Sequence, residues 1–542
     1  MTDQRDGAHG TQTNPVEVLV VGAGPTGLLL AGELERRGIS CHLIDARRAP
    51  LNWDRATVIH PRSLQIFESM GLADRFLAAG CRQRLIKIHS DGEQLGMMDL
   101  VSCGSVYGFN VGLSEEVTEN ILTDYLRAQG GEVNRSSRLI GLAQEEEGIL
   151  AEIERDGSRY QMKAQWVVGC DGVHSVTREQ FGIAMSGEEK AKLWAVFDVT
   201  MRPWRDTYEG TFVYLDTPPV IMTALPKERW RVYLRPSSED SDLIADARGT
   251  LKPYLPDSSF VDVENPNRFH CHTKVATRFR AGPVFLAGDA AHVCSPTEGH
   301  GMNRGIQDAF NLAWKLALVC RGADPALLDS YEIERKPAAE MVIESGNRFE
   351  KNLTMTDPVE RANRNQAIRE TLAEEKTRHH EIVAETELNL EYSGSGIVFG
   401  DQCDVFAAGS RISDLIEVKT LARGRCRLVE LTQRVGHTLL LVAGKGPDGE
   451  ELAKLHAAVG EIAAENELFE AAFSFGLELD PDTDIGEIGR AELALLGVDG
   501  ITVFAVRPDG YVGLRADKDH VQALKRYRSV ILQGTREAVS AA

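Results

Sequence analysis

The sequence predicts an α/β fold: a Rossmann-type nucleotide-binding domain, an antiparallel-sheet domain inserted into it, and a thioredoxin-like domain at the C-terminus. Three observations carry that reading. A valine-rich run, Val16 to Val21, passes through a glycine-rich turn straight into a helical segment, and a second apolar run follows. Between about Leu193 and Val275 the pattern alternates, as in TFVYL, VIMTAL and WRVYLR, with prolines and charged turns between. After Gly400 strand, helix and hairpin segments begin afresh. A chain of 542 residues has room for about three such domains.

Taken in order, residues 1–15 (MTDQRDGAHGTQTNP) are polar and are expected to be a disordered tail. Val16 to Val21 reads as strand, Pro25 to Arg37 as helix, and Cys41 to Ile44 as a second strand ending in Asp45, which completes a βαβ opening. Further strands are expected at Gln165 to Val168 and Val284 to Ala287, each running into a Gly-Asp or Asp-Gly pair. Residues 16–192 and 276–345 are therefore assigned to one nucleotide-binding domain interrupted by a sheet domain at 193–275. Asp308 to Val319 and Leu327 to Phe349 read as helices. Within 346–399, Pro358 to Leu388 carries charge at helical spacing with few apolar positions, the signature of an exposed helical connector. In 400–542 the strands TLLLVA and ITVFAVR, a helix from Glu450 to Glu465, a PDG turn, YVGLR and a closing helix from Lys518 to Leu532 give the thioredoxin-like layout.

Composition excludes several classes of function. Lys+Arg 60 against Asp+Glu 81 leaves a net charge of -21, which opposes nonspecific binding to nucleic acid and to anionic membranes. No run approaches the roughly 18 apolar residues of a membrane span, so a cytoplasmic protein is expected. The cysteines number nine, an odd count with no CxxC pair, so neither a disulfide framework, a zinc ribbon nor a dithiol relay is suggested.

The chemistry sits in three motifs. In Gly22-Ala23-Gly24-Pro25-Thr26-Gly27, Gly22 permits the tight turn, Gly24 lets backbone approach a pyrophosphate, and Gly27 lets helix and strand close. The helix N-terminus faces the negative charge, and Asp45 accepts hydrogen bonds from a ribose. The second motif is Asp171-Gly172-Val173-His174-Ser175-Val176-Thr177-Arg178. The third is Gly288-Asp289-Ala290-Ala291-His292, leading into Pro296-Thr297-Glu298-Gly299-His300-Gly301-Met302-Asn303-Arg304-Gly305.

Together these motifs resemble the class A FAD-dependent aromatic hydroxylases, flavoprotein monooxygenases that include phenol and polyketide hydroxylases. The likeness runs from about Val16 to Glu340 and takes in Ala309-Phe310-Asn311-Leu312-Ala313-Trp314-Lys315-Leu316. It implies that the first domain binds FAD, that Asp289 meets the ribityl chain, and that the Pro296 to Asn303 loop lies along the flavin ring. Gly22, Gly24, Pro25, Thr26, Gly27, Asp45, Arg55, Asp171, Gly172, Asp289, Pro296, Gly299, Gly301, Met302 and Asn303 are the implied cofactor contacts. A helix starting near Met302 points its positive end at the ring. The family often has Gly-Gly-Gln where this chain has Glu298-Gly299-His300, and Glu115 replaces a glutamine that touches FAD. Each of these either tunes the flavin or sits in solvated loop. His60 falls in a segment close to the ring and reads as structural.

The implied reaction is flavin reduction by NADPH or NADH, O2 addition to give a C4a-hydroperoxide, and oxygen transfer to a small aromatic substrate. A single nucleotide fingerprint means that NAD(P)H docks transiently. Substrate contacts are expected from Arg231, Tyr233 and Arg235, which share one strand face by period-two spacing, and from Pro296; the competing reading packs that face structurally. Two alternatives stay open: Baeyer-Villiger or epoxidising chemistry on the same fold, and a turnover-deficient FAD-binding assembly partner. No metal is implied, the C-terminal unit is expected to be redox-inert, and a homodimer is an open alternative.

Overall fold

The strand Val16–Val21 runs parallel to Cys41–Ile44 on one side and to the second half of Ser158–Gly169 on the other, with Val18 opposite both Cys41 and Trp166. Val284–Leu286 adds in parallel beyond Ser158–Gly169, and Val133–Asn134 closes the far edge. The apolar run is continuous because the sheet is covered on both faces. The helices Pro25–Arg36 and His300–Cys320 pack on one face. On the other, the antiparallel strands Ser137–Glu145 and Gly148–Arg155 bring Leu139, Ile149 and Ile153 onto Leu19, Val21 and Val167. All the parallel strands therefore end at one edge, where Gly22, Asp45, Asp171 and Gly288 lie. This computed structural model describes residues 15–50, 56–187, 192–295, 299–445, 449–465, 468–480 and 482–534. Arg55, Pro296 and Glu298, and nearly all of the predicted 1–15 tail, lie outside the described residues.

A seven-stranded sheet follows the order Ser259–Cys271, Lys192–Arg202, Arg229–Leu234, Val220–Leu225, Gly210–Tyr214, Leu85–Ser90, Glu93–Asp99. Its last two strands come from upstream of the 193–275 span. They form a hairpin whose turn residues, Asp91 (φ 53) and Gly92 (φ 80), both have the positive φ that two-residue hairpins favour. One face packs Phe197, Phe212, Trp230 and Val232 beneath the helix Leu243–Leu251. The other presents Trp194, Val213, Ile221 and Tyr233 to Phe349 and Leu353.

The predicted helices are present but longer: His300–Cys320, starting two residues before Met302, and Asp329–Leu353. The connector corrects an expectation. Pro358–Ala373 and Glu375–Glu385 are helical, but they are not simply exposed, because Arg364, Asn365, Leu372 and Ile382 are buried against the Leu85–Ser90 hairpin and its neighbours. Their buried positions are partly polar, so no apolar stripe announces them.

Downstream, an eight-stranded mixed sheet pairs His437–Ala443 in parallel with Phe469–Gly476, and antiparallel with Ile501–Val506, which turns into Val512–Ala516. This unit is bolted to the first by a buried, charge-balanced cluster. Arg507 donates to both oxygens of Glu334 (2.7 and 2.8 Å), Lys315 Nζ donates to Glu334 at 2.7 Å, and Trp314 Nε1 donates to Asp509 at 3.1 Å. Burial pushes the Lys315 amine down to about 8, partly countered by Glu334. Eight cysteines among the described residues are free thiols.

Candidate active site

One cavity of about 1170 Å³ starts at the shared strand edge and runs beneath the seven-stranded sheet. At its first end the glycines behave as their positions demand. Gly22 has φ +102, and a Cβ there would meet the Cys170 carbonyl at 2.3 Å; at Gly27 it would meet the Gly22 carbonyl at 1.9 Å. At Gly24 a Cβ would meet nothing within 4 Å, so the backbone there is bare toward the cavity that Gly24, Pro25 and Thr26 line. That combination, tight packing behind and open space in front, fits a pyrophosphate over the N-terminus of Pro25–Arg36.

Asp45 is buried, lines the cavity, and accepts from the backbone of Ala23 (2.8 Å) and Arg47 (2.7 Å). Arg47 folds back onto Asp45 (3.2 Å) and Glu119 (3.5 Å). Glu115, in the first turn of Glu115–Ala128, also lines the cavity. Asp171 accepts from the Thr177 backbone at 2.9 Å, holding the Gly172 turn in place. Arg178 then ties two motifs together by donating to the carbonyls of Val173 (2.9 Å) and Ala290 (3.1 Å). Asp289 is exposed at the cavity wall, one residue after Gly288, whose amide donates to Asp308 at 3.1 Å.

Beyond these, Gly299, His300, Gly301 and Met302 line the cavity at the N-terminus of the long helix. Asn303 is buried and spends its side chain on backbone, accepting from His60 N–H (3.0 Å) and donating to Val58 (2.9 Å) and Gly299 (2.8 Å). It holds the 58–60 segment against the helix start rather than lining the cavity. His300 Nδ1 lies 2.8 Å from Glu387 Oε1, and the His60 and His300 rings lie 4.8 Å apart between centroids. Burial and the neighbouring His300 push the His60 imidazole down to about 4. Glu387 also takes Arg304 at 3.2 Å and the Gln307 amide. Glu387 gave no signal in the sequence, being one acid among many in the connector.

In the second lobe, Tyr233 OH lies 3.1 Å from Thr57 Oγ1, which is 3.5 Å from Thr223 Oγ1. Apolar walls come from Ile86, Ile88, Val213, Ile221, Phe269 and Phe349. Of the four predicted substrate residues, Pro296 lies outside the described residues, and among Arg231, Tyr233 and Arg235 only Tyr233 lines the cavity. Arg231 and Arg235 do not: Arg231 forks onto Asp198, with one contact at 2.9 Å, and Arg235 pairs with Glu350 at 2.9 Å. Period-two spacing puts them on one face but does not say which part of that face a carboxylate has already claimed. The connector residues Ile368, Thr371, Leu372 and Ala384 close the lobe from the far side, and sequence reasoning missed them.

Residues 15–345 match the model of an FAD-binding-domain family. Pentachlorophenol 4-monooxygenase from Sphingobium chlorophenolicum is 32% identical over 470 residues, covering 83% of this chain and 84% of the relative. Rifampicin monooxygenase from Streptomyces venezuelae is 32% identical over 378 residues, covering 66% of this chain and 75% of the relative. Among solved structures, aklavinone-11 hydroxylase in a ternary complex with FAD and aklavinone aligns with a TM-score of 0.74 at 25% identity, covering 96% of this chain and 100% of the other. The chain belongs to this FAD-binding family, the class A flavoprotein aromatic hydroxylases. It is an FAD-dependent monooxygenase. No helix among the described residues is long and apolar enough to cross a membrane.

Proposed function

We propose that this monooxygenase hydroxylates a phenolic or polycyclic aromatic substrate, with NADPH or NADH as transient reductant and O2 as oxygen donor. The observation that carries this reading is the continuity of the cavity: a nucleotide cradle at one end opens into an apolar lobe at the other. When bound, FAD supplies the redox chemistry: a hydride from NAD(P)H and a proton leave with one oxygen of O2 as water, and the other oxygen enters the ring.

The chain's own residues bind, orient and exclude water. Gly22, Gly24, Pro25, Thr26 and Gly27 would hold the pyrophosphate and Asp45 a ribose hydroxyl, while Asp171, Gly172 and Asp289 would flank the linking chain. Gly299, Gly301 and Met302 line the cavity at the start of the long helix, whose positive end would favour negative charge on a bound flavin. Asn303 positions that end by gripping Val58 and His60. Tyr233, steadied by Thr57, offers a hydroxyl to the phenolic oxygen of the substrate. The apolar walls keep water from the reacting centre.

In this reading residues 16–192 with 276–345 form the FAD-binding unit, 193–275 an inserted substrate sheet, 346–399 a connector, and 400–542 a thioredoxin-like unit. The parallel His437–Ala443 and Phe469–Gly476 pair, with the helix Gly449–Ala464 between them in sequence and a hairpin after, supports the last assignment. Free thiols and a net charge of -21 fit a cytoplasmic setting. The test is oxygen-18 labelling with a panel of phenols and fused-ring hydroxyaromatics. A product carrying one oxygen from O2, with NAD(P)H oxidation stimulated by that aromatic, is expected. Label arriving from water, or oxidation rates indifferent to every aromatic that binds, overturns the reading.

A further inference from the structure

The second lobe is electrically polarised along its length. At one end Arg348, on Asp329–Leu353, and Arg364, on Pro358–Ala373, both line it, and Arg364 donates to the backbone carbonyl of Asn352 at 2.7 Å, one turn from Arg348. At the other end lie Glu381 and Glu385 with Asn389, whose amide meets Met341 Sδ at 3.9 Å. Met341 and Arg348 are two turns apart on one helix, about 10 Å. The acidic and basic groups therefore do not neutralise one another.

Arg364 is 5% exposed, yet its guanidinium meets only neutral oxygens: Asn352 O, Ser90 Oγ at 2.9 Å and Asn365 Oδ1 at 2.8 Å. No carboxylate forms an ion pair with it among the described residues. Burial, and then the adjacent Arg361, push its pKa down. The two acids whose field it feels, Asp91 and Asp216, are both engaged by Arg361. The Arg348 side chain makes no hydrogen bond, ion pair or ring contact among the described residues. A buried guanidinium without a counter-ion is costly, and here it faces a cavity built to receive a ligand.

We propose that Arg348 and Arg364 form an anion subsite that selects aromatic substrates carrying an acidic substituent, above all a carboxylate, remote from the hydroxylated carbon. This rests on reading the lobe as the substrate site. The register gives the span. Ser90, which Arg364 grips, is four residues along its strand from Ile86, whose row includes Thr211 and Thr223 beside the Thr57 and Tyr233 hydroxyls. Four residues of strand cover about 13 Å, so a fused-ring acid reaches from the hydroxyls toward the arginines better than a single ring does. The phosphates of NAD(P)H carry the same charge, and the experiment separates the two sources.

The FAD-loaded enzyme is titrated by calorimetry with 6-hydroxy-2-naphthoate, its methyl ester and 2-naphthol, and steady-state constants for NAD(P)H are measured in parallel. The acid is expected to bind at least tenfold tighter than its ester, as a charge-assisted pair requires. Arg348→Ala and Arg364→Gln should each erase most of that ratio; the exposed Arg348 keeps the test valid if the buried variant folds poorly. A purely structural role for Arg364 lowers stability and leaves the acid-to-ester ratio alone. Equal binding of acid and ester, no binding of the acid at millimolar concentration, or variants that raise only the Michaelis constant for NAD(P)H, overturn the proposal. Binding is read without turnover, so failure here is distinct from failure of the oxygen-labelling test.

Discussion

The two ends of the cavity are built on opposite principles. The nucleotide end is made of backbone: five parallel strands stop at one edge, and glycines and two helix starts shape what remains. The lobe is made of side chains drawn from strands near residues 86, 213, 221 and 233 and from helices spanning 341–385. Backbone sites tolerate little change and carry compact sequence signatures, whereas side-chain sites can be re-lined while the fold stays constant. On the function proposed above, one end of this cavity serves the chemistry and the other selects the compound.

That contrast can be broken in three places. The largest effect is expected at the fingerprint glycines. Gly24 sits at φ -80, which any residue adopts, and a Cβ there meets nothing, so Gly24→Leu should fold normally yet lose FAD by more than about a hundredfold in affinity. Gly27→Val, with a Cβ 1.9 Å from a carbonyl, should fail to fold at all. Circular dichroism with flavin content distinguishes the two; a yellow Gly24→Leu protein refutes the backbone account of that end.

Next is the joint between the ends. Burial raises the Glu387 pKa, but Arg304, His300 and His60 more than offset this and hold it at about 2, against 4.5 ordinarily. A depressed carboxylate stabilises fully above the unfolded value and loses that contribution as pH falls from 4.5 toward 2. Glu387→Gln should cost about 3–5 kcal/mol at neutral pH, because Arg304 is left buried without its carboxylate. Its denaturation profile should also be flatter than the wild type across that acid window, and an unchanged profile would remove Glu387 as the joint. The smallest effect is expected at Tyr233→Phe, which deletes one hydroxyl: kcat/KM for the aromatic should fall about tenfold with FAD retention intact. Loss of flavin instead would mean that the two ends are not separable.

How much of this was legible follows the same division. The strand, turn and helix around Gly22–Gly27, Asp45 as the answering acid, and the Asp171 and Asp289 turns could be read because each is local in sequence and carries its own physical reason. The hairpin Leu85–Ser90 and Glu93–Asp99 went unread, although Asp91-Gly92 between apolar runs is a turn signal that could have found it. The connector reads as exposed because its buried positions are partly polar: Arg364 and Asn365 hydrogen-bond to Ser90, Asp91 and one another, which a hydropathy pattern does not register. Arg231 and Arg235 share the expected strand face but pair with Asp198 and Glu350, which are close to them only in the folded chain.

The cluster joining Glu334 to Arg507 has a consequence for how the molecule is made. The two residues are 173 positions apart, and the ribosome adds roughly 5–20 residues per second. For roughly ten to thirty seconds of synthesis, Glu334 and Lys315 await a guanidinium that has not yet been polymerised. The flavin-binding half is thus completed by a segment that emerges long after it, so a nascent chain cut before Arg507 should remain soft and protease-sensitive however much of its sheet has already paired.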